Sequence, residues 1–313
     1  MNLAATRLAL LRRARRPGRI GALLAGGALK MMPQAAGDVN VTLWGRPLRL
    51  PANHHLPFIV HSNPFWSMPL VHCTAALGDS KLVVVDIGAN IGDTACLLES
   101  ELPGRCRFVC IEANQEWLPY LTANTAGLPV EIIRSFVGEG QHLASEATAP
   151  GSARSRVTDA GERSLPLDEI CQNLQVDLIK VDTDGFDFPI LRSGSRTLSS
   201  RRPALFFEWD PAAWLENREN PEEVFSWLDA HGYEDFCFFS DGGLFYCRTK
   251  QPETIRSLIA AADARRGIDA VYWDVFAASR EVCDRAVSLN IKAAQQLAAK
   301  IPLWNRLQPT YWQ

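Results

Sequence analysis

The sequence predicts an α/β fold with a mostly parallel sheet, helices on both faces and an antiparallel hairpin at one edge. Three observations predict it. From residue 81 the chain alternates short apolar runs with helix-like segments, the rhythm of a parallel sheet buried on both sides. The first apolar run ends in a glycine-containing turn, "DIGANIGD". Later, Asp241-Gly242-Gly243 separates two further apolar runs, a hairpin signal.

The elements follow in order. "VNVTLWGRPLRL", residues 39–50, alternates apolar and polar residues around Gly45 and predicts a hairpin. "PANHHLPFIVHSNPFWSMP" is rich in Pro, His and aromatics without a period. It predicts a loop and short helix over the sheet edge, and His54, His55, His61 and Trp66 are candidates to line a substrate mouth. "KLVVVDIG" is the first strand of the alternating region and "GDTACLLESEL" its helix. "CRFVCIEA" and "QEWLPYLTANTAG" repeat the unit, and "VEIIRSFVG" is a third strand. Residues 139–163 are polar and Ser/Ala/Gly-rich, so a loop with an irregular hairpin is expected. "SLPLDEICQNL" is a short helix, "VDLIKVDTDG" a fourth strand, "FPILRSGSRTLSSR" a helix and "PALFFEWDP" a fifth strand. "NPEEVFSWLDAHGY" carries Asn220 as N-cap, Pro221 at N1 and Glu223 at N3. "EDFCFFSD" and "GGLFYCRTK" form the hairpin. Residues 251–313 are expected to be helical, with Ile255, Leu258, Ile259 and Ala262 on one face.

The pattern divides the chain into a basic leader (1–37), an N-terminal hairpin and cap (38–80), the α/β domain (81–250) and a helical extension (251–313). The leader holds Arg7, Arg12, Arg13, Arg15, Arg16, Arg19 and Lys30 and no acid. Such a segment suits peripheral contact with an anionic membrane surface. No run approaches the ~20 apolar residues of a spanning helix. Of the 313 residues, 47% are apolar and 21% charged, and the net charge is -3. That balance calls for no nucleic-acid partner. The eight cysteines form no CxxC pair, which disfavours a zinc ribbon or thioredoxin-like site. Reduced, buried thiols point to the cytoplasm, with the leader facing the inner side of the membrane.

The glycine turn sets the ligand class. No GxxxxGK[ST] is present, so no P-loop. A dinucleotide fingerprint needs G-x-G-x-x-G, but here Asn90 replaces the middle glycine and the third is missing. That disfavours a nicotinamide-linked oxidoreductase. Asp86, two positions before Gly88, suits a ligand with an ammonium instead of a pyrophosphate. S-adenosylmethionine is one, and the helix start at Gly92 offers it N–H groups. Glu112 ends the second strand about twenty residues on, where a carboxylate accepts two ribose hydroxyls.

These residues carry a resemblance. "VVVDIGANIGDT", "IEAN", "SLPLDEI" and "VDLIKVDTDGFDFPIL" resemble, in order and spacing, the FkbM-type methyltransferases over residues 81 to about 210. The chain departs from the family's E-G-x-E, reading Asp184-Gly185-Phe186-Asp187; shortened acids would also mark a non-catalytic binding module. The resemblance implies a Rossmann-like methyltransferase sheet of seven strands. It implies methyl transfer from S-adenosyl-L-methionine to a hydroxyl of a sugar, glycan or polyketide-like product. Carried over, Asp86, Gly88, Ala89, Asn90 and Gly92 fall on the methionine-binding turn and Thr94 on the first helical turn. Glu112, with Ala113 and Asn114, falls at the ribose, and Ser135 and Phe136 at the adenine.

Asp182 and Asp184 lie at the carboxyl end of the fourth strand, Asp187 starts the next helix and Glu208 ends the fifth strand. An alcohol must lose its proton to act as a nucleophile, so a carboxylate there is the natural base. Asp182 or Asp184 is expected to act as base or orienter, with Glu208 as hydrogen-bond partner. Clustered carboxylates also resemble an oxygen site for Mg²⁺, but no metal ligands are assigned.

Overall fold

The computed structural model describes residues 37–149, 151–265 and 271–300. The first predicted hairpin is present. β1 (Asp38–Leu43) and β2 (Arg46–Pro51) pair antiparallel with Leu43 opposite Arg46. Trp44 and Gly45 between them hold φ of 49° and 75°, the backbone of a two-residue hairpin turn. Leu48 and Leu50 point inward and pack with Leu56, Ile91 and Cys96. Two helices follow, α1 (Leu56–Ser62) and α2 (Met68–Ala76).

The alternating region then begins. β3 (Leu82–Ile87), α3 (Asp93–Glu101), β4 (Cys106–Ile111), α4 (Leu118–Asn124) and β5 (Val130–Ile133) lay down one half of the sheet. Next come β6 (His142–Ala149), β7 (Ser152–Val157) and β8 (Glu162–Arg163), a separate antiparallel sheet ordered β7-β6-β8. The irregular hairpin expected over 139–163 is β6–β7, with a register shift between Ala147 and Ala149; β8 adds a third strand to it. After α5 (Leu167–Cys171), β9 (Leu178–Val181) returns to the centre of the main sheet. The single helix expected over 188–201 is two, α6 (Asp187–Arg192) and α7 (Ser195–Arg201). The chain breaks at Gly194, where a Cβ would stand 2.7 Å from Leu167.

β10 (Ala204–Trp209) leads to α8 (Pro211–Glu216) and α9 (Glu223–Ala230). Helix α9 starts later than its capping pattern predicts. Asn220 Oδ1 accepts from the Glu222 N–H at 3.1 Å, within a turn that precedes the helix. The chain ends with β11 (Asp235–Ser240), β12 (Phe245–Arg248), α10 (Pro252–Ala264), β13 (Trp273–Ala278) and α11 (Arg280–Lys300).

The main sheet has eight strands in the order β12-β11-β13-β10-β9-β3-β4-β5, against the seven expected. The five strands from β10 to β5 run parallel. β13 is antiparallel to both β10 and β11, so the hairpin does not sit beside β10. The stretch read as a helical extension contributes β13 as a wedge between them. Its run "WDVFAA" is buried on both faces, so it shows neither strand alternation nor a helical stripe. The basic leader lies outside the described residues, apart from Gly37. Among the described residues no helix is long and apolar enough to cross a membrane.

Alternate residues of each strand supply two cores. Val85, Ile87, Val181, Phe207 and Trp209 pack beneath α6 and α8, where Phe188 and Trp214 stack at 5.7 Å. Val84, Phe108, Phe206, Phe239 and Phe276 pack on the opposite face, with α2 and α11 among the elements covering them. Asn290 of α11 is buried there. Its Oδ1 accepts from the Phe245 N–H at 2.9 Å, its Nδ2 donates to Gly243 O at 3.0 Å, and Nδ2 lies 3.2 Å from His72 Nδ1. Burial pulls His72 down to about 4, so its neutral ring accepts. Asn290→Ala strands the buried Gly243 carbonyl and the part-buried Phe245 N–H and is expected to cost about 1–3 kcal/mol, read as a lower urea midpoint with an unchanged m-value.

Candidate active site

The sheet reverses its build direction between β3 and β9. From β3 the chain adds β4 and β5 on one side, then crosses to add β9 and β10 on the other. Open α/β sheets bind ligands at the carboxyl ends of such a pair, and a cavity of about 360 Å³ lies there.

The glycine turn is shaped by close approach. Gly88 has φ +78°, and a Cβ on it would stand 2.0 Å from Asp182 O. Only glycine lets the turn after β3 pass the end of β9. Asn90 also holds a left-handed φ of 48°. Gly92, at +83°, is the N-cap of α3 and packs on Leu121 and Thr125. Glu112 ties the turn to the loop after β4. Its Oε2 accepts from the Asn90 N–H at 2.8 Å and its Oε1 from the Asn114 N–H at 2.7 Å. Burial raises its carboxyl, and these two N–H groups oppose the rise.

The Asn90 side chain fastens two outer segments. Its Nδ2 donates to Gly151 O at 2.8 Å, and its Oδ1 lies 3.4 Å from His54 Nε2. His54 Nδ1 accepts from the Leu56 N–H at 3.2 Å, which leaves Nε2 to carry the proton toward Asn90. Burial lowers His54 to about 4, so the ring is neutral. The Gly151 backbone lies on that ring, with no room for a Cβ.

Of the residues expected at the cofactor, Gly88, Asn90, Thr94, Glu112, Ala113, Asn114, Ser135 and Phe136 line the cavity. Asp86, Ala89 and Gly92 do not; they are buried behind its wall. Asp86 acts at one remove, through Lys180, whose Nζ is 3.1 Å from Asp86 Oδ1 and 3.3 Å from Asp182 Oδ2. Burial pulls the Lys180 ammonium down, but Asp86, Asp182 and Asp93 more than offset this and hold it charged. Burial raises Asp86 against Lys180, and raises Asp93 to about 6.

The expected catalytic residues Asp182, Asp184 and Glu208 all line the same cavity. Asp184 holds a left-handed φ of 52° and accepts from Ser152 Oγ at 2.7 Å. Burial, then Asp182, raises its carboxyl. Asp187 is fully buried, held by Thr183 and the Gly185 N–H. Burial and the neighbouring acids push Glu208 well above the usual carboxylate range. His54, His55 and Trp66 reach the wall and His61 does not. Among the described residues no group of three or more His, Cys, Asp or Glu is set to hold a metal.

Sequence reasoning missed Lys180, Asp93, Ser152, Tyr272 and Asp274 as site residues. Lys180 had a signal: a lone cation inside the apolar run "DLIKV" needs a buried partner. Asp274 had the same signal inside "YWDVF".

Residues 86–234 match the model of the methyltransferase FkbM domain family, in accord with the resemblance read from the sequence. No curated protein matches the sequence. Among solved structures, the precorrin-6y C5,15-methyltransferase of Geobacter metallireducens GS-15 is similar at 14% identity and a TM-score of 0.38, over 68% of this chain and 88% of that one. A methyltransferase FkbM from Methylobacillus flagellatus KT is similar at 15% and 0.40, over 64% of this chain and 44% of that one. A SAM-dependent methyltransferase from Aquifex aeolicus stands at 15% and 0.35, over 70% and 95%.

The acids make stability depend on pH. Burial, then Asp182, raises Asp274 to about 8 from 3.8. The folded state therefore binds this proton more tightly than the unfolded chain, and the stability it confers is lost as pH rises through about 8. His54 and His72 act oppositely, but between about 4 and 6.5. From pH 6.5 to 8.5 the ligand-free protein is expected to lose stability, at most about 1.4 kcal/mol per pH unit from this group. Thermal melts across that range check it, and Asp274→Asn should flatten the decline.

Proposed function

We propose that the protein transfers a methyl group from S-adenosylmethionine to a hydroxyl of a small-molecule or glycan acceptor. Glu112 carries the reading. Its two oxygens each accept one backbone N–H, from Asn90 and Asn114. A carboxylate has about four acceptor sites, so one lone pair per oxygen remains for a ribose diol. The residue also lines the cavity. S-adenosylmethionine bound there supplies an electrophilic methyl group.

The chain's own residues supply alignment and proton removal. Gly88 leaves the turn without a side chain, and Ser135 and Phe136 wall the far end. Asp182 commits an oxygen to Lys180 and is fixed as an orienter at the wall. Asp184 is the base. Its raised carboxyl brings it closer to the operating pH, where general bases work best. Ser152 holds one of its oxygens and leaves the other to take the acceptor proton. Glu208, whose carboxyl burial and its acidic neighbours raise, stands on the acceptor side of the cavity.

Two measurements check the reading. Calorimetry is expected to show S-adenosylhomocysteine binding and no NADH binding. Glu112→Ala should weaken the former by about 2–4 kcal/mol, or about 30- to 1,000-fold, with the fold retained. Unchanged affinity in a folded variant removes the ribose assignment. In turnover assays on a panel of hydroxylated acceptors, Asp184→Asn should keep S-adenosylhomocysteine affinity and lose methyl transfer by about 10²–10⁴-fold. Asp182→Asn should lose less. Near-normal rates in both would leave these acids a structural role only.

A further inference from the structure

The cavity wall farthest along the sheet from the glycine turn carries two facing acids. Glu208 of β10 lies directly opposite Asp274 of β13 in their antiparallel register. Opposed residues share a face with Cβ atoms about 4.5–5.5 Å apart, and like charges so placed destabilise the pair. Both side chains line the cavity and are half-buried. Neither has a hydrogen-bond or ion-pair partner among the described residues. Lys180, the cation nearest them along the sheet, is committed to Asp86 and Asp182.

Two aromatic side chains stand on the same wall. Tyr272 lies two residues before Asp274, and the Trp66 indole meets its hydroxyl. Uncompensated carboxylates away from water are costly, and the ligand-free protein lowers that cost by retaining protons on them. A bound cation would do the same by taking their place. Paired carboxylates supply charge and hydrogen-bond acceptors, and the aromatic faces attract an ammonium further.

We propose that Glu208 and Asp274, flanked by Tyr272 and Trp66, form an ammonium-binding subsite, and that the acceptor is a hydroxyl compound bearing a protonated amino group, of the amino-sugar class. The assignment of this cation to the acceptor rests on the methyl-transfer reading of the cavity. The ammonium anchors the acceptor at β10 and β13 while a hydroxyl on the same molecule meets Asp184.

The test uses the full chain with glucosamine and N-acetylglucosamine as probes, which differ in the charge on nitrogen. Binding is followed by saturation-transfer NMR, with and without S-adenosylhomocysteine. Glucosamine is expected to bind about tenfold or more tightly than its acetylated counterpart. Asp274→Asn, and the double variant with Glu208→Gln, should abolish that preference, and Asp274→Asn should leave S-adenosylhomocysteine affinity unchanged. The proposal is overturned by equal binding of the two sugars, by no binding of glucosamine, or by a preference that survives the double variant. It is also overturned if Asp274→Asn weakens S-adenosylhomocysteine, which would give the pair to the donor's own ammonium, or if millimolar Mg²⁺ displaces glucosamine, which would make it a metal site. Failure of wild-type protein to bind S-adenosylhomocysteine sinks the methyl-donor reading separately, because the sugar preference is also read without it.

Discussion

A buried ammonium holds the site together. Lys180 sits mid-sheet between Asp86 and Asp182, and its charge opposes the penalty that burial places on the Asp86 carboxylate. Removing one partner of such a group leaves an uncompensated charge. The arrangement also fixes how closely β3 and β9 finish. Asp86 and Lys180 are register partners, and one turn later Gly88 passes against Asp182 O. The turn is bare at that point because the neighbouring strand leaves no room for a side chain.

From this pair the wall extends both ways by hydrogen bonds, through short-range geometry. On one side Glu112 joins the β3 turn to the loop after β4. Asn90 then reaches His54 and Gly151, so the N-terminal hairpin region and the β6–β7 sheet are both fastened to one residue of the turn. On the other side Ser152 bonds Asp184. The β6–β7 sheet therefore contacts both the turn and the acidic end, although it belongs to neither half of the main sheet.

Much of this is legible in sequence, for reasons that differ by residue. Strands β3, β4 and β9 are apolar runs bounded by turns. The β1–β2 turn announces itself through Gly45, and the glycine turn through the spacing of Asp86, Gly88 and Gly92. Local chemistry decided these elements. Where long-range packing decides, the sequence is quieter. β13 has no alternation because both its faces are covered. The β6–β8 sheet is short of large apolar residues, so its polar sequence shows an irregular hairpin within a loop and hides β8. The break between α6 and α7 depends on Leu167, a partner remote in sequence. Within the site, chemistry-bearing residues at strand ends were readable. Lys180 and Asp274 showed only that a charge inside an apolar run needs a partner; which partner depends on which strands lie side by side.

The placement of β13 bears on how the chain is made. During synthesis β10 and β11 emerge well before residues 273–278, yet in the finished sheet they pair only through that strand. Until it emerges, each has an open edge of unpaired backbone groups flanked by Phe206, Phe207, Phe236 and Phe238. Open hydrophobic edges are templates for intermolecular association. The nascent chain thus passes through an interval in which its largest aromatic cluster is laid down and cannot close. A ribosome that stalls or terminates between residues 250 and 272 would release a sticky half-sheet, a natural client for chaperones.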